Sequence, residues 1–230
     1  NYSKDKNLWH LSHEGLDLED PANEPDLDKD KFLEMSVSPY KAPDAATEVS
    51  VDFEAGVPVV VNGEKMKVSQ IIAKLNELGG ANGIGILDIV ENRLIGMKDH
   101  GIYETPGGTI LYFAHEQLEM LTLDKETAHM KSKLAVDYAD LIYNGKWFSP
   151  LAEALTAFAK KANENCTGTV KLKLYKGNMI NAGITSPNSL YSEELVTFGE
   201  SDFDQAQAAG FINIWGLPTK VQSLLKSGKL

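Results

Sequence analysis

The spacing of apolar positions changes several times along the chain, and each change marks an element. Glu48-Val-Ser-Val-Asp-Phe-Glu54 alternates polar and apolar, the pattern of a half-buried strand. Gly56 turns it into a return strand, Val57-Pro-Val-Val-Val61, with Pro58 near the start, where a missing N–H does least harm. Asn62-Gly63 turns again, so this region predicts an antiparallel meander. With Ser69 as N-cap, Ile71, Ile72, Leu75 and Leu78 form one face of a helix that Gly79-Gly80 is expected to stop. Ile84 to Ile95 reads as a strand region that carries Glu91 and Arg93. Thr105-Pro106 starts the next helix, with Thr as N-cap and Pro at the first helical position, and Leu111, Ala114, Leu118 and Leu121 as its buried stripe.

Further on, Asp124 caps a helix running toward Leu134, and a separate short helix through Tyr138, Leu141 and Ile142 ends at Asn144-Gly145. Ser149-Pro150 opens another, with Leu151, Leu155, Phe158 and Ala162 inward. Thr169-Val-Lys-Leu-Lys-Leu-Tyr175 alternates strictly and turns at Lys176-Gly-Asn178 into Met179-Ile-Asn-Ala182, a hairpin. Short helices are expected within Pro187–Val196 and Phe203–Ala209, then a strand-like run, Phe211-Ile-Asn-Ile-Trp215. The tail Thr219–Lys226 is an amphipathic helix with too little apolar surface to fold alone; it must dock on its own core or on a neighbouring subunit. Strands and helices come in mixed order without regular βαβ alternation. That predicts an α+β fold, a mixed or antiparallel sheet packed by helices, with a main domain over 1–212 and a tail over 213–230.

Composition narrows the function. The net charge of −11 argues against nucleic acid and against an anionic membrane surface, both of which call for basic faces. No apolar run approaches the ~18 residues of a membrane span. The single cysteine, Cys166, suits a reducing, cytoplasmic setting, and with no cation beside it in sequence it reads as structural. The chain begins Asn1-Tyr-Ser3 rather than with Met, as a piece of a longer or processed protein would.

The densest chemistry lies between Asp88 and Thr109: four acids (Asp88, Glu91, Asp99, Glu104), two bases (Arg93, Lys98), Tyr103 and four glycines. Such a stretch reads as one wall of a site for a small polar zwitterion, where a few fixed polar groups set orientation. Several features have ordinary readings. Glu91 and Arg93 alternate on a strand and could pair with each other; Tyr103 could be a core aromatic with a satisfied hydroxyl. Thr105-Pro-Gly-Gly-Thr109 could hold an anion at a helix start, although close packing is the preferred reading. His10 and His13 have a metal-compatible spacing but no third ligand, so no metal is expected. The acidic run Glu14–Glu24 reads as solvated, and Lys171, Lys173 and Lys176 as strand-surface lysines.

Eight blocks then carry a resemblance: Asn7-Leu-Trp-His-Leu-Ser-His-Glu-Gly15, Glu19-Asp-Pro-Ala-Asn-Glu-Pro25, Gly56-Val-Pro-Val59, Asp88 to Thr109, Asp140-Leu-Ile-Tyr-Asn-Gly-Lys-Trp-Phe-Ser-Pro150, Gly168-Thr-Val-Lys-Leu-Lys-Leu-Tyr-Lys-Gly-Asn178, Ser189-Leu-Tyr191 and Gly210-Phe-Ile212. In order and spacing they resemble argininosuccinate synthases along nearly the whole chain. The resemblance implies ATP-dependent ligation of citrulline and aspartate through a citrullyl-adenylate, releasing pyrophosphate and AMP, in arginine biosynthesis or the urea cycle. It implies a synthetase domain over 1–212, an oligomerisation helix over 213–230 and a cytoplasmic homotetramer. It also implies that Ser3, Ser12, Glu91 and Tyr103 contact citrulline. ATP, with Mg, is expected on an N-terminal nucleotide-binding domain, because no Ser-Gly-Gly-Leu-Asp-Thr-type phosphate loop occurs in this sequence. The chain alone is therefore expected to be inactive. Two departures stand out: Ile86 where many members have Arg, and Asp99-His100 where Ser-Arg is common. The alternative is a non-catalytic amino-acid-binding or oligomerisation module.

Overall fold

The computed structural model describes residues 1–197, 199 and 204–230. They form two compact units, 1–190 and 191–230. The first contains β1 (Leu11–Glu14), β2 (Thr47–Glu54), β3 (Val57–Val61), β4 (Glu64–Lys65), α1 (Val68–Ala81), β5 (Ile86–Asn92), β6 (Lys98–Glu104), α2 (Pro106–Thr122), α3 (Lys125–Tyr143), α4 (Pro150–Ala162), β7 (Gly168–Tyr175) and β8 (Asn178–Thr185). The second contains α5 (Glu193–Val196), α6 (Gln207–Trp215) and α7 (Leu217–Lys226). The fold is α+β, with two antiparallel sheets among the described residues.

The larger sheet has the order β4-β3-β2-β7-β8. Strict alternation on β2 and β7 turns Val49, Val51, Phe53, Val170, Leu172 and Leu174 to one face, where Ile71 and Leu75 of α1 and Ile110, Ala114 and Leu118 of α2 cover them. Each such side chain contributes roughly 1.5–3 kcal/mol of burial. Cys166 lies within this core, and burial pushes its thiol up, as befits a structural residue. On the opposite face Lys173 pairs with Glu48 at 3.6 Å; Lys176 pairs with Asp44 at 2.6 Å, which fits the reading of surface lysines.

The smaller sheet, order β1-β6-β5, carries the densest chemistry. Its back face packs on the segment between β1 and β2 through Leu18, Phe32 and Ile102. That segment is acidic and exposed along most of its length, as its sequence predicts, but Leu18 and Phe32 pin it down. Glu104, fully buried at the end of β6, completes the anchor. Its carboxylate accepts the backbone N–H groups of Glu34, Met35 and Ser36 at 2.9, 2.8 and 2.7 Å and pairs with His13 Nε2 at 2.7 Å. Burial opposes this charge, yet the His13 bond and the backbone N–H groups outweigh it and hold the carboxyl below its ordinary value.

Several elements differ from the sequence expectation. α1 begins after Lys67, whose N–H is accepted by Gln70 Oε1, and not at Ser69. It runs through Gly79-Gly80 because these glycines serve packing: a Cβ on Gly80 would sit 2.0 Å from the Met35 carbonyl. α3 is one continuous helix of 19 residues, since no Gly or Pro separates Leu134 from Tyr138. On α4 Leu151 is exposed and Ala152 is the buried residue. Phe211–Trp215 is helical and not strand-like. The helical spacing stacks Phe211 on Trp215 at 5.5 Å, a contact worth more there than β propensity. Phe203, at the start of the helix expected over 203–209, lies outside the described residues; α6 takes up the remainder from Gln207.

Two stability predictions follow from the anchor. Because the folded carboxyl of Glu104 is depressed, its contribution is complete above the unfolded carboxyl value and is lost as pH falls through the folded one. Glu104→Gln should lower unfolding free energy at neutral pH by about 3–5 kcal/mol and flatten the acid limb of stability, measured by urea titration across pH. Gly80→Ala should destabilise, against the roughly 1 kcal/mol gain a helical Gly→Ala ordinarily brings; a rise in its urea midpoint would contradict the close approach to Met35.

Candidate functional site

Directly paired residues of an antiparallel sheet share a face. Tyr103 of β6 stands opposite Ser12 of β1 and Leu87 of β5. Two residues further along, Gly101 stands between Glu14 and Ile89, and beyond it Asp99 is paired with Glu91. Residues 3–6 run back along β1, and Ser3 exchanges both backbone bonds with Glu14 at 2.9 Å. Ser3, Ser12, Glu91 and Tyr103 therefore share the front face, opposite His13, His100, Ile102 and Glu104. Ser12 is buried, Glu91 and Tyr103 are half-buried and Ser3 is exposed.

The Tyr103 hydroxyl donates to Glu91 Oε1 in a very short bond. Burial, then this bond, pushes the phenol well above its ordinary value, so it stays protonated as a donor. Ser12 Oγ accepts the Asp5 N–H at 3.3 Å. Glu91 and Arg93 do not pair with each other: Arg93 Nη2 donates to Asp99 at 2.9 Å and to Glu14 at 3.3 Å. Burial, and then repulsion from Asp99, raises the Glu14 carboxyl, while Arg93 opposes the shift. Ser3, Glu14, Arg93, Lys98, Asp99 and the edge of His100 line an open groove of about 410 Å³. Ser12, Glu91 and Tyr103 do not line that groove; they lie on the same face of the sheet. A larger cavity of about 610 Å³ lies at Ile86, Asp88, Ile102 and the acidic loop around Asp26, and holds none of the four positions.

The front face thus offers two hydroxyls, a phenol donor, carboxylate acceptors and one guanidinium. That set suits a ligand with an ammonium, a carboxylate and an N–H-rich polar end. Other sequence candidates resolve differently. The Gly107 N–H at the start of α2 is used by Asn76 Oδ1 at 2.8 Å, and Gly107 and Gly108 pack closely against Asn76 and Trp9, the packing reading of that motif. His13 turns to Glu104 while His10 lies beside the Tyr103 ring, so the two do not converge. No group of three or more potential ligating side chains forms a metal cluster among the described residues. Sequence reading missed Glu14, which it placed in a solvated acidic run, and the Arg93–Asp99 link. The available signal was the period of two that puts Ser12 and Glu14 on one face of β1.

Residues 2–222 match the family described as arginosuccinate synthase C-terminal domain. The chain belongs to this family. It is 59% identical over 235 aligned positions to the argininosuccinate synthase of Clostridium botulinum (strain Alaska E43 / Type E3), covering 100% of this chain and 57% of that protein. It is 59% identical over 227 positions to that of Acetivibrio thermocellus, covering 98% and 56%, and 57% identical over 226 positions to that of Desulforamulus reducens, covering 98% and 56%. The chain spans about 57% of the length of such curated relatives.

In this argininosuccinate synthase C-terminal domain Ile86 and His100 fall on the back face, and Asp99 on the front. Ile86 packs against the Leu18–Phe32–Ile102 cluster, and His100 bonds to Leu18 and Asp88. Asp99, on the front, holds Arg93. No described helix is long and apolar enough to cross a membrane. Tyr103→Phe should keep the fold and lower stability by about 1–2 kcal/mol, because Glu91 loses its half-buried donor; chemical denaturation measures this, and an unchanged midpoint would mean that water replaces the phenol.

Proposed function

We propose that this chain is the citrulline-handling part of an argininosuccinate synthase, with Ser3, Ser12, Glu91 and Tyr103 as its citrulline contacts. The reaction joins citrulline and aspartate at the expense of ATP and releases AMP and pyrophosphate. The observation that carries the reading is that all four side chains, from three strands and a flanking segment, fall on one face of one small sheet. Their task is orientation. Holding the ureido oxygen in line for attack contributes on the order of several kcal/mol without any proton transfer by these residues. Tyr103, its phenol raised well above the ordinary value, remains a donor, and Glu91 accepts from it, so the pair presents fixed polarity to a zwitterion. ATP, with Mg, is assigned to a nucleotide-binding part that this sequence does not supply, since it has no phosphate loop.

The same reading assigns the second unit to assembly. Phe211, Ile212, Ile214, Trp215, Leu217, Val221 and Leu225 of α6 and α7 are all exposed. We infer that they dock on another copy in a homotetramer. A non-catalytic amino-acid-binding or assembly module is the rival reading.

Pyrophosphate release from ATP by the protein that carries this domain should require citrulline, and Glu91→Gln should depress it by about 10- to 1000-fold. Release independent of citrulline sinks the ligase reading in favour of the module. Sedimentation equilibrium should give a tetramer that deletion of 191–230 reduces to a smaller species; an unchanged mass would remove the second unit from assembly.

A further inference from the structure

We infer that His100 is a positioning residue for the front face. From the middle strand β6 it bridges the Leu18 carbonyl, in the turn after β1, and the Asp88 carboxylate of β5, and its doubly protonated ring holds together the three strands that carry Ser12, Tyr103 and Glu91. Binding on that face weakens when the ring loses a proton. The inference rests on the proposed citrulline site and adds to it a residue that acts through the strands behind it.

The argument starts from hydrogens. His100 Nδ1 lies 2.5 Å from Leu18 O, and Nε2 lies 2.7 Å from Asp88 Oδ1. A carbonyl and a carboxylate both accept and neither donates. A neutral imidazole has one N–H and one lone pair, so in that form one of the two contacts sets lone pair against lone pair. Only the imidazolium donates to both. The side chain is 6% exposed, which leaves little room for water to replace a lost bond. His13 provides the contrast within the same sheet: its Nε2 meets Glu104 and its Nδ1 has no partner, so it bridges nothing.

Strand order gives the bridge its reach. β6 lies between β1 and β5, and His100 is the back-face residue between Asp99 and Gly101, whose register partners are Glu91 and Ile89 on β5 and Glu14 on β1. A shift of β5 or of the turn after β1 therefore moves Glu91 or Ser12 relative to Tyr103. The acids around the ring favour the proton, and the cations Lys98 and Arg93 oppose it. Asp88 faces it from β5; Asp99 and Lys98 flank it on its own strand; Glu14 on β1, Glu19 in the following turn and Arg93 after β5 complete the surroundings. The Asp88 bond raises the ring above its ordinary 6.5, burial opposes, and the Leu18 carbonyl adds to the rise. A raised histidine contributes fully below its unfolded value and is lost as pH rises through the folded one, so the clamp opens above the ordinary histidine range.

The test uses this chain with His100→Gln and His100→Arg. Imidazole ¹⁵N NMR should show both His100 nitrogens protonated below the ordinary 6.5, and the ring losing its proton only above that value. As the ring titrates, amide exchange at Ser12 and Tyr103 should rise. Calorimetric titration with citrulline should show affinity falling about tenfold as the ring titrates, weak and pH-flat binding for His100→Gln, and strong binding with a reduced alkaline step for His100→Arg. A ring that loses its proton below the ordinary 6.5 overturns the inference, as does a wild-type pH profile shared by His100→Gln. If His100→Gln fails to fold, the NMR titration and His100→Arg still decide. Absence of citrulline binding by wild type at every pH, with a normal ring titration, refutes the proposed site and the positioning role with it; binding without the pH step refutes the positioning role alone.

Discussion

The buried carboxylate of Glu104 is the constraint on which the smaller sheet depends. A charge removed from water must find a full set of partners, and Glu104 finds them in His13 and in three consecutive backbone N–H groups at Glu34, Met35 and Ser36. Those N–H groups belong to an irregular segment with no ladder of its own to satisfy them. One side chain therefore fixes the path of that segment and closes the back of the sheet. From there the order propagates. The Val37 N–H bonds to the Gly80 carbonyl, and the Met35 carbonyl lies so close to Gly80 that α1 has no room for a side chain at that point. The small sheet is tied by this route to the helix that roofs the large one.

With the back face committed to the anchor, the alternation of strands delivers the opposite set of side chains to the front. Ile102 and Glu104 point one way, Gly101 and Tyr103 the other. A three-stranded sheet is thin, and its stability as a platform comes from what packs behind it. The absence of a side chain at Gly101 opens the front between Glu14 and Tyr103, where a Cβ would lie 3.3 Å from the Tyr103 ring. The site and the anchor are thus two faces of the same alternation, and a one-residue slip of β6 would exchange them.

Much of this was legible in the sequence. Strict alternation in 169–175 and 48–54 fixed both strands, because each has one buried face and periodicity is then the whole signal. Element ends were less legible. Gly79-Gly80 reads as a stop by propensity, but the glycines answer to Met35, distant in sequence. Phe211–Trp215 reads as β by composition, whereas its structure follows from stacking at helical spacing. At the candidate site, residue types were visible and partners were not. Glu91 and Arg93 looked like each other's partner because both lie on one strand; the real partners, Tyr103 for one and Asp99 with Glu14 for the other, come from across the sheet. Glu104 was visible only as one acid among four.

Glu91, Arg93, Asp99 and Glu14 on the front face are already engaged with one another or with Tyr103, and this bears on how a ligand would be taken up. Glu91 accepts from Tyr103, and Arg93 lies between two carboxylates. A zwitterion arriving there exchanges partners and does not fill an unsatisfied site, so its net gain is the difference between two sets of charge-assisted bonds. Such a difference is small unless the new set is better oriented. Affinity then depends on how rigidly the strands hold the protein's half of each bond, since any freedom left in them is an entropy that binding must remove. The side chains that never meet the ligand, Glu104 and those packed with it behind the sheet, therefore decide how well the ones in front can hold it.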